Sequence, residues 1–203
     1  MNVICYVDGF NLYHGLRSKE WKKYYWLDLW ALAERFLRPG QILVEVVYCT
    51  AKVKGDVQAL ERQLDYIDAL QKTRPGVKVI YGHYLAKQVK CFKCENIYIR
   101  HEEKMTDVNI ACRVLMDAVD GRFDVALLMS GDSDLVPPVR IVQERWPTKR
   151  VVVLFPPGRR SDALERTAHG RKWIAEADLR QSLLPEQVTV APGKIVNRPS
   201  GWA

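Results

Sequence analysis

No apolar run in this chain approaches the roughly 18 residues that a membrane span needs; the longest are strand-length, so no membrane partner is expected. The start, Met1-Asn2-Val3-Ile4, lacks a basic segment followed by a long apolar stretch, and no signal peptide is expected. Cysteine is sparse and odd in number: Cys5, Cys49, Cys91, Cys94 and Cys112, three of them inside apolar segments. That is no disulfide framework, and it reads as reduced thiols in a cytoplasmic protein. There is no internal repeat and no low-complexity segment. There is also no G-x-x-x-x-G-K-[ST] loop, no G-x-G-x-x-G after the first strand and no H-E-x-x-H, which sets aside the usual nucleotide-binding and zinc-hydrolase arrangements. Acids are outnumbered: 24 Asp and Glu stand against 31 Lys and Arg, a net charge of +7. Such an excess favours an anionic partner, nucleic acid foremost.

What is present suits one domain with a sizeable core: 203 residues, 48% hydrophobic and 27% charged. Strands are expected at 2–8, 42–49, 77–85, 124–129 and 150–155. Helices are expected at 27–37, 57–72, 106–119 and 135–146, with shorter ones at 161–169 and 177–184 and a short strand near Trp173-Ile174. In 57–72 the apolar positions Val57, Leu60, Leu64, Ile67 and Leu70 keep helical spacing. Pro137 and Pro138 fit the first turn of their helix, where the missing N–H groups would be unpaired anyway. Residues 86–103 read as irregular or as a hairpin. Strands alternating with helices argue an α/β fold, a mainly parallel sheet with helices on both faces. Residues 1–184 read as one domain, and the Pro- and Gly-rich stretch 185–203 as a tail or arm.

Four acids fall where such a sheet would gather them. Asp8 ends the first apolar strand. Asp132 and Asp134 follow the run Val125 to Met129 in the segment Ser130-Gly131-Asp132-Ser133-Asp134. Asp107 opens the helix at 106–119, on the face that carries Ala111, Val114 or Leu115, and Ala118. Each has a structural explanation when taken alone: a turn at Asp8-Gly9, an N-cap at Asp132, an acid suited to the helix dipole at Asp107. If the strands that Asp8 and Asp132 end are neighbours, both carboxylates face one crevice beyond the carboxyl ends of the strands, where open α/β sheets bind ligands. Carboxylates crowded there raise one another's pKa values, and a divalent cation with a taste for oxygen, Mg²⁺ or Mn²⁺, relieves that cost. Asn11 and Ser130 are placed to support the ligands. Lys104 is the rival, as the ion-pair partner of one carboxylate.

At this point the chain resembles the NYN group of PIN-like nucleases. The matching segments are Tyr6-Val7-Asp8-Gly9-Phe10-Asn11-Leu12, Glu103-Lys104-Met105-Thr106-Asp107-Val108-Asn109 and Ser130-Gly131-Asp132-Ser133-Asp134-Leu135-Val136-Pro137. The likeness runs from residue 2 to about 184. It implies a Rossmann-like α/β/α fold with strand order 3-2-1-4-5. It further implies an acidic pocket of Asp8, Asp107, Asp132 and Asp134 that binds Mg²⁺ or Mn²⁺ and cuts RNA, as a metal-dependent ribonuclease and most simply an endonuclease.

Two competing functions stand beside this one. A non-catalytic RNA-binding or adaptor module would keep the pocket for folding or weak metal binding. A phosphatase-type hydrolase would use Asp8 as nucleophile, but Gly9-Phe10-Asn11 supplies no second Asp two positions on. The partner is expected to be RNA, single-stranded or in structured loops; a homo-oligomer is left open. Its contacts are expected from basic loops: Lys22 and Lys23 in the basic and aromatic stretch 17–26, Lys90 and Lys93 with Lys87, Arg100 and Lys104 in the insert, and Arg159 and Arg160 after the fifth strand. Trp26 in that first stretch reads as core. Cys91-x-x-Cys94 is half a zinc motif. With only His83 and His101 as distant partners, it reads as a reduced hairpin tip and not as a structural zinc site.

Overall fold

The computed structural model describes residues 1–202, apart from the side chains of residues 86, 87 and 99–103. In chain order the elements are β1 (Asn2–Asp8), α1 (Gly9–Ser18), α2 (Leu29–Glu34), β2 (Ile42–Thr50), α3 (Val57–Thr73), β3 (Val77–Tyr81), β4 (His83–Lys90), β5 (Ile97–Lys104), α4 (Thr106–Val119), β6 (Val125–Met129), α5 (Val136–Arg145), β7 (Arg150–Phe155), α6 (Asp162–Thr167), β8 (Gly170–Trp173), α7 (Glu176–Arg180), β9 (Gln187–Ala191) and β10 (Lys194–Asn197). Single 3₁₀ turns occupy Lys22–Tyr24, Ser133–Leu135 and Ser200–Trp202.

Six parallel strands form the central sheet in the order β3-β2-β1-β6-β7-β8. The expected order 3-2-1-4-5 is present and is extended by β8 at one edge. β1 lies in the middle and is apolar on both faces, as a strand covered on both sides requires. Val3, Cys5 and Val7 point into a core layer with α1, α2 and α3; Ile4 and Tyr6 point into a second layer with α4, α5 and α6.

Three differences from the sequence reading have local causes. The chain after Asp8 is not a simple turn but the start of α1, whose first turn Asp8 caps by accepting from the Asn11 N–H at 2.9 Å. The strand expected at 77–85 is split. The N–H of Gly82 makes a last bond to the Thr50 carbonyl, and the chain then leaves the sheet to form the antiparallel hairpin β4–β5. The segment expected as a tail is a second hairpin, β9–β10, laid against α3. Val188 and Val196 are buried in the core, and the Trp202 ring lies 6.4 Å from Tyr66. Its apolar residues alternate with polar ones, and that short alternation outweighs its Pro and Gly content.

One buried charged cluster escaped the sequence reading. Asp117 accepts from the Tyr6 hydroxyl at 2.8 Å, from Arg113 Nε at 2.8 Å and from Arg122 Nη1 at 2.7 Å. Both arginines also bind Glu45 on β2. Burial and Asp117 push the Tyr6 hydroxyl pKa well up, and the two acids hold Arg122 charged. Two cations balance two anions, so β1, β2 and α4 are bound together with no net buried charge. No single residue signals this: Tyr6 and Asp117 lie 111 positions apart, and Glu45 lies 68 and 77 positions from its two arginines.

Candidate active site

Register assembles the acidic edge. In the β1–β6 pair Val7 lies opposite Met129, so Asp8 comes level with Ser130 at the carboxyl ends of adjacent strands. Asp8 is 2% exposed. One oxygen caps α1, and the other accepts from the Ser130 hydroxyl at 2.8 Å. The same hydroxyl oxygen accepts from the Asp132 N–H at 3.0 Å. Asn11 Oδ1 accepts from the Gly131 N–H at 2.9 Å, and Asp132 Oδ1 accepts from the Asp134 N–H at 3.0 Å. The loop after β6 is therefore tied to the end of β1 and the start of α1 at two points, through Ser130 and Asn11.

The four acids are not equivalent. Asp8 is buried, Asp132 and Asp107 are half-buried, and Asp134 is exposed. Cys49, at the end of β2, registers two of them. Burial first, then Asp8 and, more weakly, Asp107 push its thiol up to about 12. Both carboxylates thus lie at the β1–β2 end of the edge, while Asp132 is joined to Asp8 on the β6 side. Among the described residues no three His, Cys, Asp or Glu side chains form a group that would hold a metal ion by themselves. The donor type nevertheless fits Mg²⁺ or Mn²⁺. The edge offers hard carboxylate, amide and hydroxyl oxygens, and such ions take one or two carboxylates, with water and substrate phosphate completing the shell.

Arg159 sits beside this edge. Its backbone packs on Gly131, where a Cβ would come within 3.0 Å of it, and the preceding Pro157 carbonyl packs so closely on Gly15 of α1 that a Cβ would lie 2.6 Å away. The Arg159 Nε is buried and makes no hydrogen bond among the described residues. The other basic positions differ. Lys23 pairs with Glu176 at 3.0 Å, Lys90 with Glu95 at 3.2 Å, and Arg160 with Asp162 and Glu165. Lys22 and Lys93 are exposed. Lys104, at the end of β5, is exposed and not without a partner. The side chains of Lys87, Arg100, His101 and Glu103 lie outside the described residues. Trp26, read as core, is fully buried, its indole N–H donating to the Pro185 carbonyl at 2.8 Å. Cys91 and Cys94 are free thiols in the β4–β5 turn. The backbone N–H groups of Cys94 and Lys93 and the Cys94 side chain lower the Cys91 pKa.

The chain matches the NYN domain model over residues 2–172. It belongs to the NYN family. It is also 30% identical over 236 residues to 6-hydroxy-3-succinoylpyridine 3-monooxygenase HspA of Pseudomonas putida, covering 97% of this chain and 74% of that protein. A crystal structure of a protein of unknown function from Vibrio parahaemolyticus shares the fold, with a TM-score of 0.57 at 21% identity, covering 90% of this chain and 96% of that one. NYN membership points to a nuclease-type function. Among the described residues no helix is long and apolar enough to cross a membrane.

The sequence reading missed a cavity of this NYN chain. It has a volume of about 910 Å³ and opens beside the acidic edge, directly after Asp8, between α1, the start of α3 and the C-terminal 3₁₀ turn. Its rings run on from one to the next. Tyr84 meets Phe10 at 5.8 Å, Phe10 meets His14 at 6.4 Å, His14 meets Tyr13 at 5.4 Å, Tyr13 meets Tyr25 at 5.1 Å and Tyr25 meets Trp202 at 5.6 Å. The only signal in the sequence was the basic and aromatic stretch at 17–26. The remaining rings come from distant segments that only the fold brings together.

Proposed function

We propose that this NYN protein is a metal-dependent ribonuclease, an endonuclease, that hydrolyses RNA phosphodiesters at the edge formed by Asp8, Asp107, Asp132 and Asp134. The observation that carries the reading is the Asp8–Ser130–Asp132 linkage across the carboxyl ends of β1 and β6. It joins the Asp8 carboxylate to the backbone of Asp132, and the Asp8 carboxylate, fixed by two hydrogen bonds, is oriented before any ligand arrives. Asp8 and Asp132, with Asp107 and Asp134 beside them, would hold Mg²⁺ or Mn²⁺. When bound, such an ion lowers the pKa of a ligated water and neutralises charge on the phosphate. Ser130 and Asn11 position the acids. Arg159, whose buried Nε has no partner among the described residues, supplies a cation for the phosphate oxygens where negative charge builds up. Residues 1–184 would form the nuclease domain and 185–203 its C-terminal arm.

The reaction in the Pseudomonas relative's name is a property of that protein; the acidic edge and the basic surface of this chain carry the RNA reading. The test is cleavage of a mixed-sequence, end-labelled single-stranded RNA with Mn²⁺, then with chelator, by wild type and Asp132→Asn. Internal cuts that vanish with chelator and with the substitution are expected. Binding without any cutting by the wild type would reject the enzyme and leave the non-catalytic RNA-binding module.

A further inference from the structure

We propose that the ring-lined cavity seats one unpaired nucleobase together with its phosphate, next to the acidic edge. The inference rests on the RNA reading for its ligand and adds the part of the substrate that the acids do not touch. Its carrying observation is the pairing of aromatic rings with cations in a cavity that, among the described residues, no Asp or Glu lines. Phe10, Tyr13, Tyr25 and Trp202 offer ring faces and edges. Arg17, Lys22 and Arg62 offer charge. Among the described residues none of these three cations is in an ion pair, whereas Lys23, Arg160 and Arg198 nearby are. Burial, then Arg159 and Arg17, lower the His14 pKa, which favours its neutral ring.

This combination selects a planar ring that carries an anionic group. Rings alone would accept any apolar solute, and cations alone would accept any anion. A volume of about 910 Å³ lies within the usual range for small-ligand sites. Position narrows the choice further. The lining begins at Gly9 and Phe10, the two residues after Asp8, so a strand whose base enters here carries its backbone on to the acidic edge. The field changes sign over that short step, and a phosphate held by Arg17 or Arg62 aligns its neighbour with the carboxylates. Paired bases have no free face for the rings, so the seat selects single-stranded RNA.

The same chemistry is present in a free nucleoside monophosphate and in a nucleotide of an RNA strand, and the experiment separates them. The full chain, without added metal, is titrated with adenosine and uridine 5′-monophosphates, with a short single-stranded RNA and with a duplex of the same sequence, following tryptophan fluorescence, to which Trp202 contributes. Wild type, Arg62→Gln, Phe10→Leu and Asp132→Asn are compared, with melting curves on each. The monophosphates are expected to bind weakly and the single strand more tightly, with the duplex weaker than the single strand. Arg62→Gln and Phe10→Leu should each weaken the single strand about tenfold, the loss expected for one stacked base or phosphate contact, while Asp132→Asn binds as wild type. Arg62 is half-exposed, so its substitution tests the seat even where Phe10→Leu unfolds. Unchanged affinity in Arg62→Gln, or binding of an aromatic carboxylate such as nicotinate that nucleotides do not displace, overturns the proposal. Metal-dependent cleavage with affinity indifferent to both cavity substitutions sinks the seat and leaves the ribonuclease standing; intact nucleotide binding with no cleavage does the reverse.

Discussion

Asp8 performs two tasks at one position, and they separate by substitution. As a cap and as acceptor for Ser130 it holds the local structure; as a carboxylate it supplies charge to the crevice. Repulsion among four acids, taken alone, leads to the expectation that Asp8→Asn would not destabilise and even stabilise the metal-free protein. The hydrogen bonds alter that balance, because the carboxylate is fully engaged. Asp8→Asn keeps one acceptor oxygen and is expected to lower stability by less than about 1.5 kcal/mol, while cutting the cleavage rate at least about 100-fold. Asp8→Ala loses the cap and strands the buried Ser130 hydroxyl, at about 2–4 kcal/mol. Urea melts and RNA cleavage on both variants check this, and equal stability losses would refute the assigned hydrogen bonds. Thiols divide in the same residue-by-residue way. Burial pushes Cys5 and Cys49 up to about 12, whereas turn N–H groups lower Cys91. A thiolate-selective reagent at pH 7.5 should modify Cys91 first and leave Cys5 and Cys49 untouched until the chain unfolds. Mass spectrometry of partially labelled protein reads the order directly.

At the scale of elements, the acidic edge depends on how β1, β2 and α4 are held together below it. Strand pairing alone does not fix where α4 sits, and so does not fix Asp107 in its first turn. The Glu45–Arg113–Asp117–Arg122 cluster does. Removing one partner of a buried charge cluster leaves the others uncompensated, and such losses run to about 3–5 kcal/mol. The arginines here are about a third exposed, which places Asp117→Asn toward the lower figure, about 3 kcal/mol. Denaturant melts give the number; a loss under about 1 kcal/mol would mean that solvent already screens the cluster. The loop after β7 shows a similar dependence. Gly15 and Gly131 admit its backbone, so two glycines in separate segments set the position of Arg159.

For the whole molecule, the excess of positive charge predicts RNA binding that falls linearly in log affinity against log salt. The structure ranks the contributors. Lys23, Lys90 and Arg160 already hold acids, whereas Lys22 and Arg159 are in no ion pair among the described residues. Lys22→Ala and Arg159→Ala should each reduce the salt slope by about 0.7, one phosphate contact on a single strand, with Lys23→Ala and Arg160→Ala changing it less. Filter binding over a range of salt measures the slope, and a slope near zero in the wild type would remove the electrostatic footprint altogether.

The sequence by itself determined the fold class and, through its family motifs, the order of five of the six strands, and it singled out Asp8 and Asp132 as candidates beside strand ends. These are local matters: a buried strand is an unbroken apolar run, Asp8 ends one and Asp132 closely follows another. It also marked α3, α4 and α5, whose apolar spacing and Pro137-Pro138 start are written in consecutive residues. Tertiary structure alone decided which atoms meet. Whether Asp8 comes level with Ser130 depends on the register of strands about 120 residues apart. Whether the Pro-rich end lies loose or packs on α3 depends on partners at Tyr25 and Tyr66. The ring-lined cavity is the clearest case: its rings come from α1, β4, the 3₁₀ region and residue 202, and no spacing rule links positions that only packing brings side by side.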